Sequence, residues 1–133
     1  MTTIPAAATM RGEGRRVVKE AESGAAARGW QPVAGERDQA RGLLAGLAAA
    51  QPATTMDARV NRLREAVVNC AEIGAAAHTR LGQLVGAFVV ILAPIMLWHA
   101  DGPASHSPDT SEIDDAEAAV QELRTLLATV YHL

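Results

Sequence analysis

Aromatic residues are nearly missing from this 133-residue chain: two tryptophans, one phenylalanine and one tyrosine make up 3% of it. Rings supply the largest buried areas in most cores, so any core here must rest on aliphatic side chains. Cysteine is as scarce. Cys70 stands alone, which excludes a disulfide framework and a paired-cysteine zinc site. Strand patterns are almost absent, and the β-branched run Val89–Ile91 lies inside an apolar helical pattern. The chain has no glycine-rich phosphate loop after a strand and no internal repeat. From Leu81 to Ala100 it has no Asp, Glu, Lys or Arg.

What is present in quantity is alanine, 28 residues of the 133, within an apolar fraction of 49%. Alanine favours helix but buries little area, so the apolar fraction overstates the core. The length suits one domain. The formal net charge of −3 hides an asymmetry. Residues 1–80 carry 11 basic and 8 acidic side chains; residues 81–133 carry Arg124 alone against 7 acidic ones. The chain runs from basic through uncharged and apolar to acidic. This composition excludes a collagen-like repeat and a wholly disordered polyelectrolyte.

Residues 1–35 read as a disordered or weakly helical arm, punctuated by five glycines and restricted by Pro5 and Pro32. Its only sizeable apolar pair is Val17 and Val18, so nothing obvious anchors it. A short helix is predicted over 36–51, with Leu43, Leu44 and Leu47 on one face and Pro52 as its stop. The run LLAGLAAA is not read as a secretory signal, because 42 residues precede Leu43.

One long helix is predicted over 54–99. Thr54 with Asp57 supplies a capping-box start. A seam of apolar or small residues follows at alternating spacings of three and four, through Val60, Leu63, Val67, Cys70, Gly74, Ala77, Leu81, Leu84, Phe88, Ile91, Ile95 and Trp98. Up to Arg80 the opposite face is polar. Beyond it, the consecutive Phe88–Leu92 cover every side of a helix at about 100° per residue. Asp101-Gly102-Pro103 breaks the pattern. An amphipathic helix is predicted over 111–132, started by Ser111 with Asp114. Its seam is Ile113, Ala116, Val120, Leu123, Leu127 and Val130, with Leu126 beside it.

The fold expected is therefore all-α. The apolar C-terminal half of the long helix, residues 81–100, is a candidate transmembrane segment, since twenty residues at about 1.5 Å each match the hydrocarbon thickness of about 30 Å. Trp98 sits at the exit, Arg80 at the entry. Arg59, Arg62, Arg64 and Arg80 lie on the N-terminal side, which places that side in the cytoplasm and the last helix outside. The competing reading is cytoplasmic: a buried helix of a soluble bundle, with 111–132 folded back over Leu84–Trp98.

The candidate helix–helix interface is Val60, Leu63, Val67, Cys70, Ala77, Leu81, Gly82, Leu84, Gly86 and Phe88. Within it Gly82 and Gly86 form a G-x-x-x-G, which lets backbones approach closely. Other constellations are weak. His78, His99, His106 and His132 show no metal-ligand spacing. Ser105, His106 and Asp109 lie in one loop, without the scaffold a catalytic triad needs. Arg11, Arg15, Arg16 and Lys19 cluster, but Glu13, Glu20 and Glu22 dilute them and no aromatic interleaves.

The sequence thus leads to a small single-pass membrane protein acting through helix-mediated protein–protein interaction or self-association. Its partners would be the bilayer and a second copy or another helical protein. The alternative is a soluble α-helical oligomer serving as a regulatory or assembly module. No enzymatic activity, cofactor, metal, small-molecule substrate or nucleic-acid partner is expected.

Overall fold

Local sequence sets the helix starts. Thr55 accepts a hydrogen bond from the Ala58 N–H at 3.1 Å, and Thr79 accepts one from Gly82 at 2.9 Å. Asp109 and Glu112 form a reciprocal capping box. In the computed structural model, which describes residues 9–28, 34–47, 55–76, 78–98 and 108–133, five α-helices follow. They are α1 (Met10–Arg28), α2 (Ala34–Leu47), α3 (Met56–Gly74), α4 (Arg80–Leu92) and α5 (Thr110–Val130). A 3-10 turn, Ala93–Leu97, extends α4, where Pro94 has no N–H to continue the α-helical ladder. No strand occurs among the described residues, and the fold is all-α as expected.

The single helix expected over 54–99 is instead two. The chain reverses between Gly74 and Thr79, so α4 runs back antiparallel to α3. Gly74 meets Gly86, and Arg64 reaches the Trp98 carbonyl at 3.4 Å. The reason is burial. A straight helix of 46 residues would be about 69 Å long and leave its apolar half unpartnered. The cap at Thr79 provides the second start that the alanines around it do not reveal. The expected starts also shift. The caps are Thr55 and Asp109, not Thr54 and Ser111, because these place an acceptor opposite the third N–H beyond them.

Of the two states open for the arm, helix is the one that residues 10–28 adopt; residues 1–8 lie outside the described ones. This helix is docked, which its valine pair alone did not suggest. The Asp115 carboxylate of α5 accepts from the Met10 and Arg11 N–H groups at 2.9 and 3.1 Å. It thereby caps α1 from another element. Gly14 lets α1 approach the Phe88 ring, and Val18 and Ala21 are buried.

Start-to-start and start-to-end pairings give an up-down arrangement. The start of α1 meets the start of α5, and Arg59 near the start of α3 also meets the start of α5. Gly24 near the end of α1 meets Arg80 at the start of α4. Glu36 and Arg37 at the start of α2 meet the end of α5. Helices α1, α3 and α5 therefore run one way, α2 and α4 the other. The acidic helix α5 packs on each of the other four. It buries Ile113, Ala116, Ala119, Leu123, Leu126, Leu127 and Val130, so it is the centre of the bundle rather than an appendage.

Candidate interaction surface

The seam predicted to join two chains is occupied within one. Val60, Leu63, Val67 and Cys70 are buried on α3, and Leu81, Gly82, Leu84 and Phe88 on α4. Gly86 is half-buried; Ala77 lies outside the described residues. Both glycines of the G-x-x-x-G serve the α3–α4 hairpin. A β-carbon on Gly74 would stand 3.2 Å from Gly86 Cα, and one on Gly82 would overlap the Ala76 carbonyl. Close backbone approach is what the motif supplies, here inside the chain.

What α4 leaves open is its outer stripe. Val90 is 76% exposed and Leu97 69%, and Gln83, Ala93 and Pro94 are exposed with them. Ala87 is half-buried between. Positions 83, 87, 90, 94 and 97 share one side at helical spacing, and no charge interrupts them. Arg80–Leu97 is long and apolar enough to cross a membrane, with 44% of it buried inside the bundle.

Electrostatic anchors lie elsewhere, and several escaped sequence reading because their partners are distant along the chain. The Arg59 guanidinium bridges Asp114 at 2.7 Å and Glu117, Nε reaching Glu117 at 3.1 Å. The hydrogen bonds that it donates, to Glu117 first and then to Asp114, hold that guanidinium above its ordinary pKa. Arg37 donates to the Tyr131 and His132 carbonyls at 3.0 and 2.9 Å, tying the start of α2 to the end of α5. The Glu36 carboxylate accepts from the Arg80 N–H at 3.2 Å and stands 3.5 Å from the Tyr131 hydroxyl. Burial chiefly, with the negative Glu36 adding, raises the Tyr131 phenol above its ordinary range; Arg80 opposes this.

Burial pushes the Cys70 thiol up to about 12, so it is a neutral small hydrophobe and not a nucleophile. No group of three His, Cys, Asp or Glu that could hold a metal occurs among the described residues. His99, His106 and Ser105 lie outside them. The four clustered basic residues of the arm, Arg11, Arg15, Arg16 and Lys19, are all exposed along α1. No family model matches the chain, and neither does a curated protein or a solved structure.

Proposed function

We propose that the chain is a small, non-catalytic helical bundle that works by association, pairing with a second copy of itself through the outer stripe of α4. The observation carrying this is the stripe: Val90 and Leu97 stand out to solvent on an element with no charge from Leu81 to Trp98. Two such stripes can meet without either copy burying a charge, which is what makes a self-pairing favourable. The bundle itself supports a water-filled setting for the rest of α4. Removing α4 from it would uncover apolar side chains of α1, α3 and α5 together, each worth roughly 1.5–3 kcal/mol when buried.

The test is sedimentation of the wild type and of Val90→Arg over micromolar to millimolar concentration. The wild type should self-associate and the variant should remain a monomer of unchanged helix content. A wild type that stays monomeric throughout overturns the reading.

A second reading rests on Arg80–Leu97 being apolar and long enough to span. The chain would then be a single-pass membrane protein with Arg59, Arg62, Arg64 and Arg80 on the cytoplasmic side. Fractionation separates the two. Release from cells without detergent favours the bundle, whereas retention through high salt with release only by detergent favours the span.

A further inference from the structure

Helix α2 covers its neighbours incompletely. It turns Ala40, Leu43 and Leu47 inward at spacings of three and four, while Gly42 and Gly46 leave the flank between them bare. A cleft of about 630 Å³ results between α2, α3 and α5, within the ordinary range of small-molecule sites. Its apolar wall is Leu47, Leu63, Ala66 and Val120. Its polar groups are Arg62, Glu65, Asn69, Glu117, Gln121 and Arg124.

Two guanidinium groups and two carboxylates line it, so its formal charge is zero. Glu117 is engaged by Arg59, which leaves Glu65 against two guanidinium groups. Neither Arg62 nor Arg124 forms an ion pair among the described residues. Arg124 is held in place by its Nη1, which donates to Gln121 Oε1 at 3.0 Å. Its Nε is buried without a hydrogen-bond partner. A buried donor on a charged group is ordinarily matched, and a small shift of the side chain would open this one to an acceptor in the cleft. Guanidinium pairs best with a planar carboxylate, and the apolar wall beside it suits a hydrocarbon body.

We propose that this cleft binds a small organic carboxylate with an apolar chain, its carboxylate held by Arg124 with Arg62 adding charge, and its chain lying along Leu47, Leu63 and Val120. This site is distinct from the α4 stripe and does not depend on self-association.

The probe is octanoate, followed by calorimetry and by backbone amide shifts, with octanol and inorganic phosphate as separated halves of the ligand. Saturable octanoate binding is expected, with shifts confined to residues around Gly46, Arg62–Asn69 and Glu117–Arg124. Octanol and phosphate should each bind at least tenfold more weakly. Arg124→Met, which keeps the length of the side chain and removes the charge, should lose binding tenfold or more at unchanged helix content. Should that variant fail to fold, Arg62→Met carries the same expectation. Absence of octanoate binding at millimolar concentration overturns the proposal. So does binding whose shifts fall on α4, equal binding of octanol, or affinity indifferent to both arginines.

Discussion

Gly82 lies directly against the backbone carbonyl of Ala76, in the turn that folds α4 back onto α3. The Gly82 N–H also donates to Thr79 Oγ1, whose hydroxyl in turn donates to the Ala76 carbonyl at 2.9 Å. Three residues thus share one small volume, and the hairpin depends on the absence of a side chain at position 82.

Gly82→Ala should therefore destabilise. Alanine gains about 1 kcal/mol of helix propensity over glycine, but a methyl overlapping a backbone oxygen forces the turn apart, and overpacking costs typically 1–3 kcal/mol or more. A net loss of about 2 kcal/mol in urea unfolding is expected. Gly42→Ala is the control. Nothing lies within 4 Å of a β-carbon there, so this exposed substitution in α2 should stabilise by up to about 1 kcal/mol.

Alkaline pH should unfold the bundle before it affects most surface charges. The Cys70 thiol is raised from 9.0 to about 12 by burial, and the Tyr131 phenol is raised as well. Each group is neutral in the folded chain and ionises more readily in the unfolded one. Their contribution is complete below the unfolded values and is lost as pH rises toward the folded ones. Stability should hold up to about pH 9 and then fall by up to about 1.4 kcal/mol per pH unit through Cys70, with Tyr131 adding to the fall above about pH 10. Cys70→Ala should weaken this slope in denaturation curves between pH 8 and 11. For the same reason Cys70 should resist thiol reagents until urea opens the core.

The fold class and the apolar faces were legible because they are periodic and local. Leu63, Val67, Leu84 and Phe88 lie on the core side in both sequence and structure. The hairpin was not legible, because alanine-rich residues 75–77 carry no break signal stronger than Thr79, and a seam at spacings of three and four continues across the turn without interruption. Periodicity reports which side of a helix is buried, not whether its partner is another copy or the chain's own return. The docking of α1 was hidden for a different reason. Its anchor, Asp115, lies 105 residues from Met10. The cleft beneath α2 likewise depends on Arg62 and Arg124, which sequence spacing does not bring together.

The Arg59 ion pairs should contribute modestly and depend on salt. Arg59 is held by two carboxylates, yet Asp114 and Glu117 keep side-chain exposures of 63% and 38%, so water screens both. Arg59→Met should destabilise by about 1 kcal/mol at low ionic strength, with the difference shrinking in high salt. Thermal denaturation in low and high salt checks this. The comparison of Asp114→Asn with Glu117→Gln ranks the two partners. Glu117, reached by two guanidinium nitrogens, should be the more costly to neutralise.

Phe88 and Val90 stand two positions apart in the same apolar run and meet opposite surroundings. Phe88 is fully buried against Gly14 of α1 and the core, whereas Val90 is 76% exposed. In a water-soluble bundle, Phe88→Ala opens a cavity and should cost about 3–5 kcal/mol, while Val90→Ala should change the stability of the monomer, measured at concentrations too low for self-association, by less than about 0.5 kcal/mol. In a bilayer the contrast would collapse, since both side chains would lie at similar depth among lipid tails and each truncation would cost only its own lost contact. The ratio of the two effects, read from unfolding of the purified chain, therefore reports the setting of α4. A large ratio places Phe88 in a protein core. Near-equal effects would mean that α4 has left the bundle and that α5, which it helps to cover, has found some other partner.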